Sequence, residues 1–422
     1  RLDLAHGFRQ SVEGDLRVEV VDMVVGETLQ KIVVPSCIPP ASRNEVAQVL
    51  SMASAQGWRC VPSGKGTWLR SGHPPDGVDV VISTTRMDRV LAYEPDDLFI
   101  TAQAGIGLDL VSRRILDGRQ WLPLDPPWAA RATIGGIVAT NDSGPSRYRY
   151  GAPRDVIIGV TVVRTDGKMA KAGGIVVKNV AGYDLSRLMT GAFGALGVVV
   201  DATFKLVPVA PASRTALIEL GSIDAMAPIV ADLVSSDLTP SAIELQWPPA
   251  RLLVRFESVE SAVEPQADAV ARLAAARDAS CRVTLHRDDQ ESTLWEDHAG
   301  RWNEPGTLVK VSTATNAIVP TLIWLREACQ DRNVVMSAQG RAALGVVDIR
   351  LDGAVDTQAQ LIRELRERFE VGAGSAVIRR AVALLRQSVD PWGPIGGGLQ
   401  VMQAIKQRFD PDGRLNRGRG PV

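Results

Sequence analysis

Two stretches of this 422-residue chain carry residue types suited to holding a ligand through the backbone. The first is SGKGT at 63–67, between Pro62 and Trp68. Successive amides of a glycine turn form a concave anion site, and Lys65 adds a charge suited to a diphosphate. Taken alone, the pentapeptide reads first as a connecting loop, because short motifs carry little weight. The second is ATIGGIVATNDSG at 132–144, where Gly135 and Gly136 interrupt an otherwise apolar run. A flat ring system can lie against a backbone only where no Cβ intervenes. The plainer reading is a tight turn between packed elements.

Other nucleotide chemistries find less support. No GxGxxG follows a strand and opens a helix: AGIG at 104–107 lacks its third glycine, and GAFGALG at 191–197 is spaced differently. GxxxxGK[ST] is absent from the sequence as well. Cys37, Cys60, Cys281 and Cys329 are scattered without a CxxC, so no zinc site or iron–sulfur cluster is expected, and no metal. The thiols point to a reducing cytoplasm.

Composition sets the frame. At 45.3 kDa, with 45% hydrophobic and 23% charged residues, the chain reads as a globular protein of two or three domains. A net charge of −1 gives no electrostatic footprint for nucleic acid or anionic membrane. No apolar run reaches the roughly 18 residues that span a bilayer, and the first residues lack the apolar core of a secretory signal.

The elements that must position these stretches follow from periodicity. Residues 42–57 predict a helix, with Ser42 and Glu45 as a capping box and Gly57 as its stop. Strands are expected at 58–62, 78–83, 98–105 and 198–208, and a helix at 107–118. Residues 155–173 read as two strands joined by the Asp166–Gly167 turn. The Pro/Ala-rich 207–213 marks a domain boundary. Beyond it, strands at 215–220, 241–247, 251–258, 307–313 and 345–351 alternate with helices at 264–279 and 318–331. The β-α-β-β-α-β rhythm predicts an antiparallel sheet with helices on one face. No short-period repeat is evident.

Five blocks in order give the chain a resemblance. VVPSCIPPASRNEVAQVL, VPSGKGT, LPLDPP (122–127), ATIGGIVATNDSGPSRYRYGAPRDVIIG and VVKNVAGYDLSRLMTGAFGALGVVV (176–200) resemble the FAD-binding fold of the vanillyl-alcohol oxidase and p-cresol methylhydroxylase family. That resemblance implies an α+β protein: a two-subdomain p-cresol methylhydroxylase-type FAD-binding domain at 31–209, after an extension at 1–30. A ferredoxin-like α+β domain would follow at 214–422, its last helix returning to the FAD domain. FAD is the implied cofactor. Pro62, Ser63, Gly64, Lys65, Gly66 and Thr67 would wrap its diphosphate. Thr133, Gly135, Gly136, Ala139, Asn141, Ser143 and Gly144 would line the ring and ribityl chain, and Asp125, Gly197 and Val199 the diphosphate or adenosine end. His73 lies six residues beyond Thr67, past the loop, so the expected attachment is non-covalent.

Within the family the chain resembles the E subunit of bacterial glycolate oxidase complexes, through the 176–198 block, PGTLVKVS (305–312) and the terminal FDPDGRLNRGR. This implies oxidation of a small 2-hydroxy acid alongside a catalytic flavoprotein and an iron–sulfur subunit, with no transmembrane segment and membrane association only through partners; a self-sufficient FAD-dependent 2-hydroxy-acid dehydrogenase or oxidase and a non-catalytic assembly subunit are the alternatives. The HxxGDGNxH metal segment of some relatives is missing; the nearest stretch, SAQGRAALGVVDIR (337–350), offers only Asp348. Arg255 is the natural carboxylate-clamp candidate, with Lys178 or Tyr150 facing the ring, yet each has an ordinary packing or ion-pairing role open to it. No residue is assigned as catalytic.

Overall fold

The computed structural model describes residues 22–25, 28–31, 37–174, 183–369 and 374–422. The first ordered helix shows how local sequence sets an element. Arg43–Gln56 starts where the Ser42 side chain accepts from the Glu45 amide at 3.2 Å and stops at Gly57, whose φ of 74° suits a residue without Cβ. Its buried face (Val46, Val49, Leu50, Ala53) packs beside a three-stranded parallel sheet of Cys37–Ile38, Val80–Ser83 and Cys60–Ser63.

A second, five-stranded sheet is antiparallel throughout. Its order runs Met169–Gly173, Ile157–Val163, Val198–Lys205, Phe99–Gln103, Val90–Glu94. The helices Leu108–Leu116 and Ile134–Thr140 cover it around Ile100, Val111, Ile134 and Phe204. The glycine turn 63–67 leaves the small sheet, and the 132–144 stretch forms the helix that caps the end of Phe99–Gln103.

The third sheet has eight strands and an internal symmetry that the sequence hides. Its order is Arg282–His286, Ala212–Glu219, Arg251–Ser258, Ala242–Trp247, Val335–Arg341, Val346–Asp352, Thr307–Thr313, Gly374–Arg380. Each half is a β-α-β-β-α-β unit with its own strands ordered 4-1-3-2, the ferredoxin-like arrangement. The halves join edge to edge where Ala242–Trp247 pairs with Val335–Arg341. Four helices, Met226–Ser235, Glu260–Arg277, Ile318–Gln330 and Val355–Glu367, bury one apolar face of the sheet.

Alternation along these strands puts every second side chain on the other face. There the chain carries Glu244, Gln246, Lys310, Gln339, Arg341, Asp348 and Arg379, most of them buried. A fifth helix, Asp288–Gly300, lies on this polar side, against the first half, rather than with the other four. Over the second half, the 140–143 region of the N-terminal part takes its place: Arg341 donates to the Ser143 carbonyl, and Arg379 meets Asp142 at 2.7 Å.

Candidate functional site

The glycine turn comes first. The amides of Gly64, Lys65, Gly66 and Thr67 have no acceptor among the described residues, which leaves a ring of donors for an anion. A Cβ on Gly64 would stand 2.2 Å from the Thr133 hydroxyl, so the close approach of the turn to residue 133 depends on glycine. Lys65 reaches only to 4.0 Å from Asp109, with both groups about two-fifths exposed, and its ammonium can swing to a dianion.

Gly135 and Gly136 have different neighbours. A Cβ on Gly135 would sit 2.7 Å from that of Ala104 and 3.0 Å from its carbonyl oxygen, to which the Gly135 amide already donates at 2.7 Å. Gly135 therefore lets the helix start touch the strand end. Gly136 would meet only the Thr133 hydroxyl, at 3.1 Å, and keeps an open side. Ala139 offers its carbonyl to the Phe193 amide at 2.7 Å, while Gly194 packs on Pro62. Turn, helix start and the 191–194 segment thus converge on one cleft.

The remaining expected contacts have partners inside the protein. Asp125 accepts from the amides of Gly144 (3.1 Å) and Ser146 (2.8 Å), so its carboxylate shapes that loop. Asn141, at a left-handed φ of 51°, accepts from the Arg154 amide. Ser143 is buried with its carbonyl held by Arg341. Gly197 precedes the strand that carries Val199 opposite Val162 in the five-stranded sheet. His73 sits 3.0 Å from Asp390. Lys178 lies outside the described residues. Arg255 stacks 3.9 Å over Trp295 beside Glu291, and Tyr150 packs edge-on to Trp121, its hydroxyl pushed up by burial and by Glu257.

Sequence reasoning missed the group that does gather at the cleft. A cavity of about 180 Å³ opens between the domains, walled by Trp68, Asp142, Phe193, Lys310, Arg379 and Trp392. Lys310 has no hydrogen-bond or salt-bridge partner among the described residues. Burial and the neighbouring Arg379 charge pull its ammonium down to about 8, against the opposing pull of Asp142. Arg379 is 7% exposed; it holds Asp142 at 2.7 Å and Asp348 at 3.1 Å, yet its Nη1 is buried without a partner. Burial pushes the Asp142 carboxyl up while Arg379 pulls it down. The one signal in the sequence was the alternation of TLVKVST, which sets Lys310 on the face opposite Val309 and Val311.

Asp348, the one metal-ligand candidate, is instead flanked by two guanidiniums, Arg341 at 2.8 Å and Arg379. Burial opposes the Arg341 charge, but Asp348, Glu244 and Asp142 outweigh it and raise its pKa. Among the described residues no three His, Cys, Asp or Glu side chains converge on a metal position.

Comparison with known proteins fits this geometry. Residues 36–173 match the FAD binding domain family, and residues 395–419 match the C-terminal domain of FAD linked oxidases. The chain is 26% identical over 413 residues to glycolate oxidase subunit GlcD of Bacillus subtilis, covering 90% of this chain and 88% of that one. It is 28% identical over 349 residues to glycolate oxidase subunit GlcE of Escherichia coli, covering 78% and 84%. To D-2-hydroxyglutarate dehydrogenase of Xanthomonas citri it is 28% identical, with 90% and 88% covered. An alkyldihydroxyacetonephosphate synthase structure superposes with a TM-score of 0.72 at 15% identity, over 98% of this chain and 84% of its own, which shows the shared fold. Together the matches support the FAD-linked oxidase family, and FAD is the cofactor. They do not single out the E subunit among its members.

Proposed function

From an FAD-binding chain with a cationic cavity beside its cofactor cleft, we propose an FAD-dependent oxidoreductase for a small 2-hydroxy acid, working with partner subunits in a glycolate-oxidising complex. The observation that carries this reading is a cavity of about 180 Å³ lined by two cations, Lys310, which has no partner among the described residues, and Arg379, whose Nη1 is buried without one. That volume suits a substrate of a few heavy atoms.

FAD, bound non-covalently, supplies acceptance of two electrons from the carbon that bears the hydroxyl. The amides of Gly64 to Thr67 and the Lys65 ammonium hold its diphosphate, and Gly136 leaves the helix start open to it. Lys310 and Arg379 receive the substrate carboxylate through charge-assisted hydrogen bonds. Asp142 and Asp348 keep the Arg379 fork fixed in the wall. Trp68 and Trp392 exclude water from the same cavity. Two relatives bear the name of glycolate oxidase subunits, which supports glycolate as substrate and partner proteins as the route for electrons. No helix among the described residues is long and apolar enough to cross a membrane.

Purification tests the reading. The chain should be yellow, and glycolate under anaerobic conditions should bleach its flavin band, alone or once the partner subunits are added. A colourless chain that gains no FAD on incubation, or a flavin that no 2-hydroxy acid reduces in the assembled complex, contradicts it.

A further inference from the structure

The segment 414–419 returns from the helix Leu399–Phe409 and lies along the strand and loop that frame the glycine turn. The Cys60 amide donates to the Arg414 carbonyl at 2.7 Å, and the Asn416 amide donates back to Cys60 at 2.9 Å. The Arg419 guanidinium then spreads over the next loop: its Nη2 donates to the carbonyls of Trp68 (3.3 Å), Leu69 (3.0 Å) and Ser71 (3.2 Å). A second guanidinium, Arg386, reaches the next carbonyl, Gly72, at 3.1 Å.

Arg386 is buried and Arg419 half-buried, and neither meets a carboxylate at salt-bridge distance among the described residues. The Nε of each is buried without a partner. Burial and the like charge of Arg386 pull the Arg419 guanidinium down to about 10. Two neighbouring cations withdrawn from water without a carboxylate are costly for a fold. Here they stand behind the loop that begins at Thr67, where the free amides face the cleft. Trp68, whose carbonyl Arg419 holds, also walls the cavity with its ring, 5.1 Å from the Arg379 guanidinium.

We infer that the segment 414–419 is a working part of the cofactor site, in which Arg419, backed by Arg386, is a positioning residue. It clasps the Trp68, Leu69 and Ser71 carbonyls so that the glycine turn and Trp68 are held in place together, and its charge is offset when a dianionic diphosphate fills the turn. The inference rests on the proposed diphosphate site at 63–67, and it assigns to Arg419 no contact with the reacting atoms.

Hydrogen exchange on the native full-length chain, with and without FAD, tests the coupling directly. Adding FAD should slow exchange at 414–419 and 68–77 in step with 63–67, although the amides of Arg414 and Leu415 donate to Asp410, that of Asn416 to Cys60 and that of Arg419 to Asn416. Protection confined to 63–67 overturns the clasp. Arg419→Gln should raise the Kd for FAD, and the Ki of inorganic pyrophosphate as competitor, at least tenfold. It should also shrink the gap in thermal midpoint between FAD-loaded and FAD-free protein. An equal loss of midpoint in both forms with unchanged Kd means a merely structural role and overturns the inference. Arg419→Lys, which keeps the charge but cannot fork to three carbonyls, should recover part of the affinity. Should Arg419→Gln fail to fold, the exchange experiment and Arg386→Gln, with the same readouts, decide the matter. A native chain that binds no FAD at all defeats the cofactor site itself, a result distinct from FAD binding without coupling.

Discussion

The two halves of the eight-stranded sheet are built alike and finished differently. In the first half, the polar face is sealed by the chain's own helix Asp288–Gly300. His298, 1% exposed, bonds Gln246 at 2.9 Å and Glu244 at 3.2 Å, while Trp295 donates to Thr215 and Glu291 accepts from it. Arg255 stacks on Trp295 and lies 3.7 Å from Glu291, although its Nε and Glu244 Oε1 are buried without a hydrogen bond. In the second half the FAD-binding region supplies the cover instead, and the fit leaves a cavity with Lys310 unpaired and one nitrogen of Arg379 spare. One fold unit thus serves twice: as a layer closed by its own helix, and as the wall of a cavity. Unpartnered buried polar atoms occur in both halves, and it is the cavity beside the partnerless Lys310 that leads us to propose the second half as the site.

Breaking the second half's frame should have the largest effect. Arg341 is 2% exposed and joins Asp348 to the Ser143 carbonyl. Arg341→Met should cost about 3–5 kcal/mol of unfolding free energy, as expected when one partner of a buried pair is removed. Chemical denaturation with circular dichroism would measure it.

Lys310→Met should behave in the opposite manner. Loss of an unpaired buried ammonium leaves stability unchanged or raised, while small-carboxylate affinity falls roughly 10–150-fold, the equivalent of about 1.5–3 kcal/mol for a charge-assisted bond. Equilibrium unfolding and oxalate titration of the flavin spectrum separate the two effects. The pH dependence sharpens this. The folded-state pKa of about 8 lies below the ordinary lysine value of 10.5. Anion binding through Lys310 should therefore be full below pH 8 and decline above it. The burial cost to stability, fully present below pH 8, should lift as pH rises from 8 toward 10.5. The charges facing Lys310 are Asp142 and Asp348, which favour its ammonium, and Arg341 and Arg379, which oppose it.

His298→Leu is the matched change in the first half. It leaves Glu244 and Gln246 without their partner and should cost about 1–3 kcal/mol with no change in oxalate affinity. A smaller contrast separates the paired glycines. Gly135→Ala should destabilise by about 1–3 kcal/mol through overpacking against Ala104, whereas Gly136→Ala should cost a few tenths in the fold and show its effect in FAD affinity, read by fluorescence titration.

Much of the architecture was legible in the sequence because it is written locally. Ser42, Glu45 and Gly57 mark a helix by capping chemistry, and TLVKVST marks a strand by alternation. Glycines at 64 and 135–136 announce close backbone approach, and the approach is there, although at Gly135 the neighbour is Ala104 rather than open space. The doubled β-α-β-β-α-β unit stayed hidden because the halves share geometry rather than residues. The helix Asp288–Gly300 gave little warning: a sparse apolar pattern serves a face that is polar by design. Arg255 and Lys310 look alike in sequence, each a cation on an apolar strand. Only tertiary structure shows that Trp295 and Glu291 wait for one and a cavity for the other.

Lys310 and Arg379 are proposed to receive a small carboxylate in front of bound FAD. Oxalate titration of the FAD-loaded native chain, followed by flavin difference spectroscopy at pH 7 and pH 9.5, tests it most directly. The account predicts a saturable spectral change at pH 7, much weakened at pH 9.5, and absent at the same concentrations in Lys310→Met with its FAD retained. Equal oxalate affinity in Lys310→Met and native protein at both pH values would contradict it.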